Sequence, residues 1–456
     1  MFRLLFFISL LSILSCSPRS AVEEKPSKPV RLITLDPGHF HAALVQKVMY
    51  ADVDSTVHVY APEGPDLKMH LDRIAAFNTR ADDPTRWNEV LFSGDHFLER
   101  MIEEKHGNVV VLSGNNQRKT EYILKSLQAG LNVYADKPMA IDAAGFDQLK
   151  KAFDVAGKNK LLLYDIMTER FEITTMLQRE LSMIPAIFGE LEKGTPENPA
   201  ITKESIHHFY KYVSGSVLTR PAWFLDPAQQ GEGVVDVTTH LVDLVQWEAF
   251  PEQALDYKKD ISINSARRWT TDIPLSSFKT ITKLDAFPEY LKKDVVSDSI
   301  LKVSSNGEIN YKLRGVNARV SVIWYYESKD GAGDTHYSSM RGTKANLLIK
   351  QGKEEQYKVT LYIEPVGKPD KIYEQAVVDN FKKLSEKYPG IALEKNKAGW
   401  VVTIPDSYKE GHEAHFGRVT ENYINYLKNG NIPAWEVPNM LAKYYTTTQA
   451  LEASKK

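Results

Sequence analysis

A lysine, a carboxylate and an imidazole stand where they could share a proton. Lys137 closes the stretch Gly130-Leu131-Asn132-Val133-Tyr134-Ala135-Asp136-Lys137-Pro138, which reads as a helix stop, a buried strand and a strand-end lysine. Ligands of open α/β sheets sit outside the carboxyl ends of the strands, so Lys137 is aimed at a binding crevice. The other two groups come from a distant segment, Gly231-Glu232-Gly233-Val234-Val235-Asp236 followed by His240. Asp236 and His240 are four apart and would share one face of a helix. Val237, Leu241, Leu244 and Val245 would then turn to the core and leave Asp236, His240 and Asp243 near one another. Taken singly, a strand-end lysine can be a solvated loop residue, and Asp236 can be a helix cap beside a half-buried histidine. Together they suggest a proton-handling site between two domains, and an enzyme is the first hypothesis.

The elements that must carry these groups alternate. Strands are expected over Val30–Leu35, Thr56–Ala61, Asn108–Leu112, around Val133 and over Lys160–Tyr164. Helices are expected over Ala42–Tyr50, Leu67–Phe77, Phe97–Glu104, Lys119–Ala129 and from Asp142, with Gly130 as a C-terminal stop. Strands alternating with helices predict an α/β fold, a doubly wound parallel sheet of Rossmann type, over residues 29–167. From 168 to 456 the texture changes. Ala318, Val320, Val322 and Trp324 alternate with Arg319, Ser321 and Ile323, and Ala345–Lys350 and Gln356–Ile363 read as further strands. This predicts an α+β domain with an open, mostly antiparallel sheet, closed by helices over Phe416–Lys428 and Val437–Ala453. Residues 270–298 and 364–410 are poorly periodic and read as loops.

The order of motifs resembles the Gfo/Idh/MocA family, that is, glucose–fructose oxidoreductase, inositol dehydrogenase and relatives. Val109-Val110-Val111-Leu112-Ser113-Gly114-Asn115-Asn116, a helix, and then Val133-Tyr134-Ala135-Asp136-Lys137-Pro138-Met139-Ala140 match its strand–turn–helix–strand segment ending in Glu-Lys-Pro, with Asp136 for the glutamate. Trp223, Asp226-Pro227, Gly231-Glu232-Gly233, Asp236 and His240 match a later segment that leads a helix into the active site, with Glu232 for the middle glycine. Gly342-Thr343-Lys344-Ala345 and Thr447–Ser454 resemble its closing elements. The resemblance implies that Lys137 lies near a nicotinamide and the substrate hydroxyl, with a cis Lys137–Pro138 bond. It implies that His240 or Asp236 accepts the substrate proton as hydride leaves to NAD or NADP. An amine partly desolvated beside a cofactor can have its pKa lowered toward neutrality. It also implies cofactor contacts from Gly38, His39, Phe40, His41, Asn115, Asn116, Asp136, Lys137 and Pro138, and substrate contacts from Lys137, Trp223 and His240. The substrate class implied is a sugar, glycoside or polyol.

One segment departs from the pattern. A dinucleotide site wants Gly-x-Gly-x-x-Gly after the first strand, and this chain has Asp36-Pro37-Gly38-His39-Phe40-His41. Only the middle glycine survives, Asp36 would put negative charge near phosphates, and no clear acid closes the second strand, where Tyr60-Ala61-Pro62-Glu63 offers Glu63 at best. Cofactor binding is still the expectation, with His39 and His41 contacting the pyrophosphate or packing the turn. His39, His41, His240, Asp236 and Asp243 would also suit zinc or manganese, but Asp-x-x-x-His on a helix face is common by chance, and no metal is assigned. His207-His208 and His412-x-x-His415 read as solvated clusters. Tyr210, Tyr212, Trp223 and Trp269 could stack on sugar rings or pack in a core. A metal-dependent hydrolase and a non-catalytic carbohydrate-binding lipoprotein are the readings from other classes.

Composition bounds the rest. The 456 residues exceed one ordinary core, 43% are hydrophobic and 25% charged, and the formal net charge is −2. Neither nucleic acid nor an anionic membrane surface is suggested as a partner. Met1-Phe2-Arg3 and the apolar run Leu4–Leu14 read as a signal peptide over residues 1–16. It ends at Ile13-Leu14-Ser15-Cys16, which resembles a bacterial lipobox, and Cys16 is the only cysteine. Residues 17–28 read as a tether. The expectation is an exported, lipid-anchored protein, periplasmic or on the outer membrane, touching the membrane only through Cys16, with a homo-oligomer allowed. Outside the cytosol there is no free nicotinamide pool, so a tightly held, recycled cofactor is expected. Its cycle could couple two sugars or permit elimination of a glycoside by transient oxidation.

Overall fold

Val109–Leu112, a run of β-branched and branched apolar residues, is buried along its whole length, as a strand covered on both faces must be. In the computed structural model, which describes residues 29–213, 216–328 and 333–456, this run is central to a six-stranded parallel sheet. The signal peptide, Cys16 and tether expected from the sequence lie outside the described residues. The strands are β1 (Leu32–Leu35), β2 (Thr56–Ala61), β3 (Asn88–Ser93), β4 (Val109–Leu112), β5 (Asn132–Asp136) and β6 (Leu163–Ile166). Their spatial order is β3-β2-β1-β4-β5-β6. The order reverses between β1 and β4, so a crevice opens beyond the carboxyl ends of those strands.

Helices α1 (His41–Leu44), α2 (Pro65–Thr79), α3 (Phe97–Glu104), α4 (Lys119–Gln128) and α5 (Ala143–Asn159) cover the sheet. Asp142 caps α5 by accepting from Gly145 N at 2.7 Å. The helix expected over Ala42–Tyr50 is only one turn, α1. The carbonyls of Gln46 and Lys47 are taken by the Trp87 indole N–H at 2.6 Å and the Arg80 guanidinium at 2.9 Å. Side chains from the α2–β3 segment thus hold the chain out of a helix. Strand β3 lay unread because it is an edge strand with little buried apolar surface.

The second unit begins with α6 (Ile173–Ser182) and β7 (Ile201–His208), followed by the small hairpin β8 (Tyr212–Val213) and β9 (Ser216–Val217). Then come α7 (Pro227–Gln230), α8 (Thr238–Ala249), β10 (Ile261–Pro274), α9 (Leu275–Thr282), β11 (Val295–Val296), β12 (Ile300–Leu313), β13 (Val316–Tyr325), β14 (Thr335–Arg341), β15 (Ala345–Lys350) and β16 (Thr360–Pro365). The chain finishes with α10 (Lys371–Lys387), β17 (Ala392–Lys395), β18 (Trp400–Thr403), α11 (His412–Asn429) and α12 (Glu436–Ala453). The large sheet runs β10-β12-β13-β7-β14-β15-β16-β18-β17, with β11 added at β12, and only the β13–β7 pair is parallel. Residues 270–298 and 364–410 are not loops. They hold the end of β10, α9 and β11, and then α10, β17 and β18. Helix α10 escaped the periodicity because exposed Ile372 and Val378 blur its buried face of Val377, Phe381 and Leu384.

Two cores result. One surrounds the parallel sheet and takes in Phe416, Val419 and Tyr423 of α11 with Met440 and Tyr444 of α12. The other lies between the large sheet and α6, α8, α10 and the far face of α12. Helix α12 therefore packs against both units, and α11 against the first. No described helix is long and apolar enough to cross a membrane.

His70, on α2, is 3% exposed, and neither ring nitrogen has a hydrogen-bond partner among the described residues. Burial, then the nearby Arg73 charge, lowers its pKa to about 4. The folded value lies below the unfolded one, so this histidine withholds stability as pH falls below about 6.5. Replacing it should raise the melting temperature, and more at pH 5 than at pH 7. His70→Leu is expected to remove about 2 kcal/mol of the acid-dependent loss between those two pH values, read from denaturant melts.

Candidate active site

The carboxyl ends of β1, β4 and β5 face the open side of the large sheet across a cleft of about 940 Å³. Lys137 enters it from the end of β5 and Asp236 from the turn before α8. Lys137 Nζ lies 2.6 Å from Asp236 Oδ1, both side chains being about nine-tenths buried. The Lys137–Pro138 bond is cis. Asp236 is not on the helix with His240, as the spacing predicts; α8 starts at Thr238 and Asp236 sits in the preceding turn. That turn is pressed against β12. A Cβ on Gly233 would meet the Ser305 carbonyl at 2.0 Å, so only glycine fits there. His240 still reaches the cleft. Burial and then the Lys137 charge hold its pKa down at about 3, and its Nδ1 has no partner among the described residues. The site thus presents an ammonium–carboxylate pair and a neutral imidazole.

Asp243 does not join them, contrary to expectation. It turns to the other side of α8, where Arg170 Nε and Nη2 donate to it at 2.6 and 2.7 Å and Lys443 Nζ at 2.8 Å. Arg170 also reaches Glu436 at 3.0 Å, and Lys443 reaches Asp165 at 2.7 Å. Buried Asp243 would be pushed up by burial, but Arg170 and Lys443 hold it well below the carboxylate range. This network fixes the rotation of α8, and with it His240.

The residues expected around a cofactor separate into two groups. His39, Phe40, His41, Asn116, Asp136 and Lys137 line the cleft, whereas Gly38, Asn115, Pro138 and Trp223 do not. Asn115 is engaged by Gln229 at 2.7 Å. Trp223 donates from Nε1 to Asp66 at 2.7 Å, and its ring lies against Gly38, where a Cβ would meet both Trp223 and Asp66 at 3.0 Å. It covers the turn after β1. Trp269 lies outside the cleft, while Tyr210 and Tyr212 line it.

The turn after β1 uses two of its backbone N–H groups inside the protein. The His39 N–H donates to Ser113 O at 3.2 Å, and the His41 N–H points to His39 Nδ1 at 3.4 Å. Gly114 packs so close that a Cβ would meet Asp36 O at 2.2 Å. Those two donors, which such a turn can offer a phosphate, thus have partners within the protein. The ends of β4 and β5 suit a nicotinamide ribose better. Asn116 Oδ1 is buried without a partner among the described residues, and Lys119 and Lys137 stand beside it on the cleft wall. Burial pushes Lys119 down to about 8, partly offset by Asp136.

Several groups on the cleft wall were not foreseen. His207 Nδ1, His208 Nδ1 and Lys211 Nζ converge on Asp334 at 3.1, 3.2 and 2.6 Å. Arg220 is buried beside them, its Nε donating to Phe209 O at 2.8 Å. The His207-His208 pair was the available sign, and β7 carries it into the cleft instead of to solvent.

A parallel sheet with its switch point open to a lysine–aspartate–histidine group, facing a large open sheet, defines the Gfo/Idh/MocA type of oxidoreductase fold. Residues 177–455 match the family described as "Putative oxidoreductase C terminal domain", and the chain belongs to that family. It is similar to the solved "putative oxidoreductase" of Parabacteroides merdae ATCC 43184, with 58% identity over 94% of this chain and 98% of that one and a TM-score of 0.92. The fold also matches a "putative myo-inositol dehydrogenase" of Sinorhizobium meliloti 1021, at 14% identity, 93% and 97% coverage and a TM-score of 0.54. Levoglucosan dehydrogenase, solved with NADH and levoglucosan, matches at 11% identity, 93% and 98% coverage and a TM-score of 0.57. No curated protein matches the chain.

Asp243→Ala would leave Arg170 and Lys443 short of a counter-charge in a buried network. A loss on the order of 3–5 kcal/mol is expected in denaturant melts, with Asp243→Asn losing less.

Proposed function

We propose that this chain oxidises or reduces a carbohydrate or polyol with a nicotinamide cofactor. The observation that carries this is the 2.6 Å Lys137–Asp236 pair, joined from two units at the floor of the cleft. The hydroxyl that reacts lies against Lys137, whose ammonium orients its oxygen and whose own position is fixed by Asp236. Neutral His240 receives the hydroxyl proton. Tyr210 and Tyr212, on the opposite wall, offer ring faces to a sugar. Asn116, Lys119 and Lys137 would hold the nicotinamide end of NAD or NADP, which when bound supplies the hydride acceptor. The solved complex of levoglucosan dehydrogenase with NADH and levoglucosan supports both the cofactor and the substrate class.

We also propose that the protein is exported and anchored through Cys16, so the cofactor stays bound and is recycled within each cycle. Cys16→Ala should then move the protein from the membrane to the soluble fraction of cell extracts. The reaction itself is tested in two steps. Extracts of denatured protein, purified without added cofactor, should contain nicotinamide dinucleotide by mass spectrometry. Lys137→Ala should lower turnover of a reactive sugar by on the order of 10²–10⁴-fold while melting as a folded protein. Protein that carries no nicotinamide and ignores added NAD and NADP would refute the reading. Sugar binding that survives Lys137→Ala, with no turnover by the unaltered chain, would point instead to a carbohydrate-binding protein.

A further inference from the structure

His41 stands at the last glycine position of a phosphate turn and His39 at one of its variable positions, and their rings converge on Asp136 at the end of β5. His41 Nδ1 is 2.9 Å from Asp136 Oδ2 and His39 Nδ1 is 3.7 Å from it. One donor atom from each of the three residues lies within 4.8 Å of the others. Ligands bound to one ion at 2.0–2.2 Å with tetrahedral or octahedral angles stand roughly 3–3.7 Å apart. We propose that His39, His41 and Asp136 bind one divalent first-row transition ion, open on the cleft side. Two imidazoles and one carboxylate with a free position is a donor set suited to Zn²⁺, Mn²⁺ or Fe²⁺ rather than to Ca²⁺ or Mg²⁺.

The surroundings have the form of a supporting layer around such a site. His41 Nε2 faces His412 Nε2 at 3.4 Å, so the nitrogen not used for the ion has a partner. His412 Nδ1 is in turn 3.7 Å from Glu169. Ser113 Oγ donates to Asp136 Oδ2 at 2.9 Å, orienting the carboxylate, and Lys119 Nζ donates to the Asp136 backbone carbonyl at 3.1 Å, holding the end of β5. Partners of this kind orient ligands and set their basicity. The three residues line the cleft beside Lys137, so the free coordination position opens toward the reacting group. The sequence suggests His39 and His41 as metal ligands only together with His240, Asp236 and Asp243, and Asp136 is remote from them there; the parallel pairing of β1, β4 and β5 brings Asp136 to the two histidines.

The alternative is a hydrogen-bonded cluster in which Ser113 and His41 alone satisfy Asp136. Metal content separates the two, and it does so whatever the reaction proves to be. The whole purified chain is analysed for metals as isolated, stripped with chelator, and titrated with Zn²⁺, Mn²⁺ and Fe²⁺ while heat and melting temperature are followed. One ion per chain and a rise in melting temperature are expected with at least one of them. His39→Ala and Asp136→Asn should each weaken binding by about 100-fold or more, while His70→Leu leaves it unchanged. Should those variants not fold, the visible spectrum of Co²⁺ in the unaltered protein reports imidazole and carboxylate ligation directly. A chain that takes up none of the ions, or a folded His39→Ala that binds as tightly as the unaltered chain, overturns the proposal. Failure here leaves nicotinamide content untouched, so the two readings fall separately.

Discussion

Five buried charges hold the two units of this protein in register. Arg170 and Lys443 stand among Asp165, Asp243 and Glu436, and these residues come from β6, the segment after it, α8 and α12. Buried ions are expensive to desolvate and survive only when geometry and additional hydrogen bonds compensate. Here Arg170 is bidentate to Asp243, Tyr444 donates to Asp165 at 2.9 Å and Tyr164 donates to Glu436 at 3.1 Å. Such a cluster tolerates little displacement, because moving one element leaves a charge unpaired in a low-dielectric interior. Asp243 is three residues beyond His240, so the same bonds that hold α8 against α12 also set the direction of the imidazole. Asp165 pairs in register with Ala135 on β5, the strand that ends at Asp136 and Lys137. The network therefore reaches both contributors to the cleft.

The turn after β1 shows a second constraint, which works in the opposite sense. A glycine-rich turn leaves its backbone N–H groups free for an anion. This one is filled. His39 and His41 bring rings to Asp136, Trp223 and Asp66 cover Gly38, and the turn hydrogen-bonds to the end of β4. With α1 reduced to a single turn, little helix dipole remains there. Burial would raise the pKa of Asp136, but the contact with His41 and the nearby Lys119 charge hold it well below the usual carboxylate range. The turn thus concentrates imidazole nitrogen at the floor of the cleft.

Much of this was legible from residues alone, for identifiable reasons. Strands β4 and β5 are continuous apolar runs bounded by a helix stop, and a doubly buried strand permits few other patterns. Lys137 follows from them, because a strand end in a parallel sheet has only one place to point. The failures share a cause. Asp243 follows the same helical period as His240, but α12, far away in sequence, supplies the cations that turn it inward. The stop in α1 is imposed by Trp87 and Arg80, and Trp223 is taken by an aspartate of the other unit. Each depends on a partner that local periodicity does not contain. Histidines suffered most, since a ring on a strand such as His207 reads the same whether it faces solvent or Asp334.

The Lys137–Asp236 pair takes on its meaning from this division. Its two members belong to different units, so their 2.6 Å separation is a property of how the units pack and not of either alone. The packing is set by α11 and α12, which cross back onto the parallel sheet while α12 also contributes Ala442, Ala450 and Leu451 to the second core. Helix α11 in addition delivers His412 to the edge of the cleft, facing His41. A hinge between the units would have to slide α12 across one core or the other and break the buried charge cluster as it went. The two walls of the cleft are thus held relative to one another by apolar contacts on one side of α12 and ion pairs on the other.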